Sequence, residues 1–220
     1  MLRSIGFGKH TKINKDFVKN SNEIEYELLE QHLKDWSLPK VKPTEIYEIG
    51  TFDLKSKMII KTVEKTIPIS ETYETISLIN DDVKRYKDQY NFLHLGCVQI
   101  GFKPLTREGL NTSMCVALCD NRHNKFTDAL LGLVETSLCK GPVYFNCYPN
   151  FEVSLTDKNI SDVLTLFIQT SGYDMKTGTE NIALIYRVSF KVLNTLAPKA
   201  KKFDVKGKTC LLYTSDAADE

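Results

Sequence analysis

Short apolar segments separated by turn-forming residues recur along most of the chain, and this spacing limits the possible folds more than any other feature. From Lys57 to Ile69, β-branched residues alternate with Lys, Thr and Glu, as in a half-buried strand. The same reasoning predicts strands at Phe92–Phe102, Met114–Cys119, Val143–Cys147, Phe151–Leu155, Leu164–Thr170 and Ile182–Leu193. Because hardly a helix fits between them, we predict a mainly β fold, a single antiparallel jelly-roll-like β-sandwich.

One or two short helices and two flexible basic arms are expected around these strands. Apolar residues at helical spacing predict an amphipathic helix over 22–36, and a charged stretch predicts one short helix within 80–90. Residues 1–20 and 198–208 each carry five cations and a single aspartate. Such arms suit an anionic partner, either a nucleic acid or a lipid surface, although lysine-rich tails also serve solubility alone.

The chain divides into four parts on this interpretation. Residues 1–40 are a basic N-terminal arm with the amphipathic helix, 41–197 are the β core, and 198–209 are a basic C-terminal segment that we expect to be truncated. The last part, 210–220, is identified as the translation of a sequencing-library adapter, so we expect it to be foreign to the protein.

The expected cellular location is the cytosol. No apolar run approaches the roughly 20 residues that cross a bilayer, and the first residues are charged too early for a secretory signal. The six cysteines are therefore predicted to be reduced thiols rather than a disulfide set.

Motifs that would support catalysis or metal binding are weak. Gly96 and Gly101 are too far apart for a phosphate-binding loop, and the four histidines of the chain do not complete a catalytic triad. The spacing of Cys115, Cys119 and His123 suggests a zinc site. On one strand, however, the two cysteines would lie about 13 Å apart, which is too far for both to bind one zinc ion. We therefore expect no enzymatic activity, no metal and no cofactor.

The segment Leu118-Cys119-Asp120-Asn121-Arg122 stands out because an apolar strand ends in a carboxylate and a guanidinium two residues apart. A carboxylate at a strand end accepts backbone N–H bonds or pairs with a cation, so it can hold the following loop in place. Physical reasoning alone favours this structural role.

Here the sequence resembles a known family. The sequence is similar to the core of the thirty-kilodalton superfamily of plant-virus movement proteins. The similarity lies in the order of Asn91 to Ile100 with its His94-Leu95-Gly96, then Leu118 to Arg122, then Leu130-Leu131-Gly132, with a further match at Pro149-Asn150-Phe151. The likeness is to the branch found in flexuous filamentous RNA viruses and plant pararetroviruses, and it covers about residues 44–195. The signature residues that the resemblance implies are His94, Gly96, Leu118, Asp120, Arg122 and Gly132.

The resemblance implies a non-enzymatic viral protein that moves a genome between plant cells. It implies sequence-independent binding of single-stranded viral RNA or DNA, self-association, tubule formation in some members, and a place in the host cytoplasm and at plasmodesmata. Implied partners are plasmodesmal and peripheral membrane components and the viral coat protein. It also implies that Asp120 is the residue whose loss is tolerated least.

Three other functions stay open at this point. A capsid-like structural protein of jelly-roll type would share the predicted fold and the basic arms. A fragment of a viral polyprotein could belong to an enzyme. A peripheral membrane protein could use the helix over 22–36, although the glutamates on its polar face would be repelled by an anionic bilayer.

Nucleic-acid binding without sequence preference needs cations for phosphates and exposed rings for bases. Candidate rings are Tyr86, Tyr90 and Phe126. The candidate cations near predicted strand ends are Lys84, Arg85, Lys87, Lys103, Arg107, Arg122, Lys125 and Lys176, together with Arg187.

Overall fold

The computed structural model describes residues 37–47, 56–70, 72–106 and 111–195, and the backbone of 210–214. The chain divides into two compact units, Met1–Ser37 and Leu38–Glu220, and all the described strands and helices belong to the second. The predicted arm over 1–20, the amphipathic helix over 22–36 and the basic segment over 198–209 lie outside the described residues.

The described residues form ten strands and a few very short helices. The strands are β1 (Lys57–Pro68), β2 (Glu74–Ser77), β3 (Phe92–Pro104), β4 (Ser113–Asp120), β5 (Leu130–Thr136), β6 (Val143–Cys147), β7 (Phe151–Ser154), β8 (Leu164–Ser171), β9 (Glu180–Leu193) and β10 (Cys210–Thr214). The helices are α1 (Pro43–Ile46), α2 (Phe126–Ala129) and two 3-10 helices, Asp81–Tyr86 and Ile160–Asp162.

The strands build two sheets in which neighbours pair antiparallel. The larger sheet has the order β1-β9-β3-β6-β10, with β7 also paired to β3, and the smaller sheet has the order β2-β8-β4-β5. Because chain neighbours such as β3 and β4 lie in different sheets, the connections cross between the layers. The predicted jelly-roll-like sandwich is confirmed.

The main core lies between the two sheets and follows from the two-residue period of the strands. Ile100 and Phe102 of β3 and Leu118 of β4 are fully buried, as are Leu166 of β8 and Leu184 of β9. Their alternate neighbours point to the outer faces. In β3 even these neighbours are buried, because the outer face of the larger sheet is also covered.

The cover is an extended segment of residues 38–47, which we call the strap. Leu38, Ile46 and Tyr47 are 2%, 1% and 4% exposed, and the last two pack with Cys97 in a small separate core. The strap contains α1, which begins at Pro43, a residue suited to the first helical turn.

All seven predicted strands are present, as β1, β3, β4, β6, β7, β8 and β9. The charged stretch over 80–90 contains a helix, which is of the 3-10 type. The sequence reasoning did not predict β2 or β5. Residues of β10 pair with β6, while the identification of 210–220 as adapter stays a prediction.

Candidate functional site at the end of strand β4

Asp120 is the last residue of β4, and its side chain is held by the loop that follows. The residue is only 2% exposed. Its carboxylate accepts the backbone N–H of Arg122 at 3.1 Å on Oδ1, the Arg122 Nε at 2.8 Å on Oδ1, and the Arg122 Nη2 at 2.6 Å on Oδ2. This bidentate pairing of a guanidinium with a carboxylate is among the strongest hydrogen-bonded interactions in proteins.

The charge state of Asp120 follows from two opposing effects. Burial raises the pKa of this carboxyl group, but the hydrogen bonds and positive charge of Arg122 lower it by more than burial raises it. The pKa therefore lies below its usual value of 3.8. His123 adds a weaker contact, with its Nε2 lying 3.8 Å from Oδ2. Asp120 is therefore an anion at neutral pH although it is buried.

Arg122 joins the two sheets. Its Nη1 donates a hydrogen bond of 2.8 Å to the backbone carbonyl of Glu152 in β7, and its guanidinium lies 4.3 Å from the centre of the Phe151 ring. Since β4 belongs to the smaller sheet and β7 pairs within the larger one, these contacts fasten one layer to the other. We call Asp120, Arg122, Phe151 and Glu152 the clamp.

His94 lies beside the clamp on β3, directly opposite Glu152 of β7 in the strand register. Its Nε2 lies 3.1 Å from Asn150 Oδ1, and its Nδ1 lies 3.0 Å from the hydroxyl of Tyr47. The hydroxyl of Tyr47 also donates a hydrogen bond of 3.2 Å to the backbone carbonyl of His94, so this one tyrosine contacts both the ring and the main chain of the histidine. Burial lowers the pKa of His94, which keeps the imidazole neutral.

Gly96 leaves the space in which the strap packs. A Cβ atom at this position would lie 2.6 Å from Ile46 Cγ2 and would overlap the hydroxyl of Tyr47. Any larger side chain would therefore displace the strap from the sheet.

Leu118 and Gly132 complete the set of signature residues. They are direct partners in the pairing of β4 with β5, next to a register shift between Leu118 and Cys119. Leu118 is completely buried in the main core, and the register shift lies just before Asp120. His94, Asp120 and Arg122 lie together around the residues Asn150 to Glu152.

The strap is held by polar contacts in addition to its buried apolar side chains. Gln99 Nε2 donates a hydrogen bond of 3.0 Å to the carbonyl of Pro39, and Arg187 Nη1 donates to the same oxygen at 3.1 Å. Arg187 Nε also donates to Thr62 Oγ1 at 3.1 Å. The guanidinium that the sequence offered for phosphate binding is thus directed to internal acceptors.

The candidate phosphate-binding residues lie at both ends of the sandwich. Residues 78–91, 121–129 and 155–163 form one end of the sandwich, where hydrogen bonds such as Asn121 N to Val163 O at 2.9 Å join the loops. We call it the signature end, because the signature residue Arg122 lies in one of these loops. The candidates at this end are Lys84, Arg85, Lys87, Arg122 and Lys125. Lys103 and Lys176 lie at the opposite end, and Arg107 lies outside the described residues.

The lysines and aromatic rings at the signature end differ in whether they already contact neighbouring side chains. Lys87 and Lys125 are exposed, whereas Lys84 Nζ lies 2.8 Å from Asp81 Oδ1. Phe126 is 60% exposed, while cations already lie against the Tyr86 ring. The same loops carry the carboxylates of Asp81, Asp82, Asp88, Asp128, Asp157 and Asp162. The signature end is therefore of mixed charge.

The cysteines are the residues that the sequence raised for a zinc site or for disulfides. No cluster of three metal-binding side chains occurs among the described residues, and Cys115 and Cys119 lie on β4 as free thiols. Cys97, Cys139 and Cys147 are likewise thiols outside any disulfide. Within the described segments, no helix has the length and apolar character to cross a membrane.

Sequence reasoning missed the partners of the signature residues. Tyr47, Asn150, Phe151 and Gln99 contact them or the strap across long sequence separations. Two of these partners lay in segments that matched the family pattern without a role of their own, Gln99 within Asn91 to Ile100, and Asn150 with Phe151 within Pro149-Asn150-Phe151. Tyr47 lay in neither segment.

A profile of the viral movement protein (MP) family matches residues 34–205. The movement protein of cauliflower mosaic virus (strain D/H) is 27% identical over 207 residues, which cover 87% of this chain and 62% of that protein. The chain thus spans less than two thirds of that relative. The genome polyprotein of petunia vein clearing virus (isolate Shepherd) is 28% identical over 160 residues, covering 72% of this chain and 7% of the polyprotein.

Among solved structures, a chain of turnip yellow mosaic virus is similar to this chain, with a TM-score of 0.40 and 13% sequence identity. The match covers 74% of this chain and 88% of the viral chain.

Proposed function

The chain belongs to the viral movement protein family, as the resemblance in its sequence indicated, and on that premise we propose that it moves a plant-virus genome from cell to cell. In this role it binds the genome as single-stranded RNA or DNA without sequence preference and acts in the host cytoplasm and at plasmodesmata. The proposed activity is transport and requires no catalytic residue, metal or cofactor.

The observation that carries this proposal is the meeting of the signature residues at one end of the sandwich. Asp120 and Arg122 lie in the clamp, and His94 and Gly96 hold the strap on the neighbouring strand. In our proposal Asp120 is a positioning residue. It holds Arg122, and through it the loop over 121–129, against the larger sheet, while a buried anion cannot itself bind phosphate.

The loop positioned in this way presents Lys125 and Phe126 to solvent. We propose that these two residues, with Lys87 and Arg85, form the part of the core that contacts nucleic acid. The cations supply phosphate contacts, and Phe126 supplies a ring for base stacking. Arg122 serves the clamp instead, because Asp120 and the carbonyl of Glu152 accept its donors.

The mixed charge of the signature end limits how tightly it can bind alone. Neighbouring carboxylates weaken the local attraction for phosphate. We therefore propose that the basic segments over 1–20 and 198–208 supply the larger share of the electrostatic affinity. Self-association, plasmodesmal and peripheral membrane components, and the viral coat protein are the further proposed partners.

The proposal is tested by supplying this chain in trans to a fluorescent plant virus that lacks its movement gene. We expect spread into neighbouring cells with the wild type and confinement to single cells with Asp120→Ala. Asp128→Ala is the matched control, because Asp128 is an exposed aspartate in the same loop. Protein abundance is measured alongside spread.

Confinement of the wild type, at normal abundance, would contradict the movement function. Particle formation by such a protein would then favour the capsid-like alternative. Equal spread with Asp120→Ala and Asp128→Ala would leave movement standing but contradict the positioning role of Asp120.

A further inference from the structure

A row of polar side chains crosses the outer face of the larger sheet beneath the strap. The strand registers place one residue from each of four neighbouring strands side by side, namely Thr62, Arg187, Gln99 and Asn146. Their chain neighbours, such as Val188 and Ile100, lie in the main core, so these four side chains point away from it. We call the four residues the polar row.

The strap shields much of the polar row from water, although the outer face of a sandwich is usually solvated. Gln99 is 0% exposed, and Arg187 is half-buried. The hydrogen bonds of the Arg187 guanidinium go to uncharged acceptors, which are the carbonyls of Leu38 and Pro39, Gln99 Oε1 and Thr62 Oγ1. Within the described part of the chain, Arg187 forms no ion pair. Its positive charge is therefore left without a counter-ion in a partly buried position, which is unfavourable.

Two donors of the polar row converge on one oxygen atom of the strap. The carbonyl oxygen of Pro39 accepts Gln99 Nε2 at 3.0 Å and Arg187 Nη1 at 3.1 Å. A phosphate oxygen in this place would accept the same two donors, and its negative charge would balance the guanidinium. Tyr144 lies two residues from Asn146 on the same face of β6 and offers a ring for base stacking. The polar row thus has the chemistry that a nucleotide requires.

Only the first part of the strap has to move for the polar row to be uncovered. Residues 38–41 precede α1, and Leu38 is the one fully buried side chain among them. Pro39 and Lys40 are exposed. Ile46 and Tyr47 are buried on the far side of α1, so they hold the remainder of the strap on the sheet when residues 38–41 lift away.

We infer that residues 38–41 are a releasable cover over a second binding surface for single-stranded nucleic acid, the polar row. The strap and a phosphate compete for Arg187 and Gln99. This inference rests on the proposed binding of nucleic acid, and it adds a site away from the signature end and a step that limits affinity. Because the cover must open first, the apparent affinity of this surface is reduced by the fraction of molecules that are closed.

The test compares the affinity of full-chain variants for fluorescent oligouridine by anisotropy over a salt series. Leu38→Ala removes the buried anchor of the cover, and we expect it to bind at least about fivefold more tightly than the wild type. The slope of log affinity against log salt should steepen by about 0.7, since Arg187 neutralises one further phosphate. Thr44→Ala is the matched control, because Thr44 is an exposed residue of the same strap, and we expect no change.

Arg187→Ala separates release of the cover from the surface beneath it. This variant also loosens the strap, but it lacks the cation that would bind phosphate, so we expect no gain in affinity. In the double variant Leu38→Ala with Arg187→Ala, the gain seen with Leu38→Ala should be lost. A gain that persists in the double variant would overturn the role of the polar row.

Circular dichroism and urea unfolding identify the variants that stay folded. Leu38→Val, which removes one methylene group, decides the test if Leu38→Ala does not fold, and we expect a smaller gain of the same sign. Equal binding by the wild type and the folded Leu38 variant would overturn this inference and leave the proposed function standing. Absence of binding in both would overturn the inference together with the proposed nucleic-acid binding.

Discussion

Asp120 combines burial with a full negative charge, and this combination depends mainly on Arg122. Its carboxylate receives the backbone N–H and two guanidinium nitrogens of Arg122. Removing the charge leaves the Arg122 guanidinium against a neutral group. Since Arg122 is about one third exposed, solvent compensates for part of the loss.

We expect Asp120→Asn to lower the free energy of unfolding by about 2 kcal/mol at pH 7. Urea unfolding measures this change. Asp128→Asn in the same loop is the control and should change stability by less than about 0.5 kcal/mol, because Asp128 is exposed. Equal effects of the two substitutions would show that the clamp does not stabilise the fold.

The lowered pKa of Asp120 predicts the pH dependence of this difference. A carboxyl group whose pKa is lower in the folded state stabilises the protein above its unfolded pKa of about 3.9, and that stabilisation is lost as pH falls through the folded value. We therefore expect the stability gap between wild type and Asp120→Asn to be constant from neutral pH to about pH 5 and to shrink below about pH 4. Urea unfolding across this range checks it, and a gap that widens in acid would contradict the assignment.

Gly96 is explained by the side chains that lie over it. We expect Gly96→Ala to destabilise the protein by about 2 kcal/mol, because the new methyl group would overlap Ile46 and Tyr47 of the strap. In a Tyr47→Ala background the same substitution should cost less, since one of the overlapping groups is gone. Urea unfolding of the four proteins measures the coupling. Additive effects would mean that Gly96 and Tyr47 act separately.

The strap is attached by polar as well as apolar contacts. Arg187 and Gln99 bind the carbonyl of Pro39, while Leu38 and Tyr47 are buried at its two ends. A segment held in this way resists proteases as long as its anchors remain.

We expect Arg187→Ala to speed tryptic cleavage after Lys40 several-fold, because Lys40 is exposed but lies in a segment that must detach to enter a protease. The new terminus at Val41 is followed by mass spectrometry. Arg85→Ala is the control, since the contacts of the Arg85 side chain are to the neighbouring Tyr86. Unchanged cleavage in Arg187→Ala would show that Arg187 does not anchor the strap.

The sequence predicted those elements whose secondary structure is determined by their own residues. β1, β3 and β9 are long and rich in β-branched or apolar residues, so periodicity identified them. β2 has four residues, and β5 contains Gly132, so their local signals were weak. These two strands exist because β8 and β4 offer pairing edges, which is a tertiary effect.

At the scale of the whole molecule, the candidate cations divide between two ends of the sandwich. We expect Lys87→Glu with Lys125→Glu to weaken binding of single-stranded RNA for all sequences alike. The slope of log affinity against log salt should become shallower by about 0.7 for each phosphate that a lysine no longer neutralises. Lys176→Glu, at the opposite end, is the control, and fluorescence anisotropy over a salt series is the measurement.

A decrease in affinity as large with Lys176→Glu would contradict the placement of the binding surface at the signature end. Full affinity in the double variant, together with weak binding after removal of residues 2–20, would assign the binding to the arm alone.

The sequence by itself determined the class of fold, the family and the identity of the signature residues. Strand periodicity and ordered motifs are local properties, and each can be recognised without knowing which segments meet. Only the tertiary structure decided what the signature residues contact. Arg122 and Glu152, or Gly96 and Tyr47, come together because strands far apart in the chain pair and stack, and the energy of these contacts depends on burial that arises only on folding.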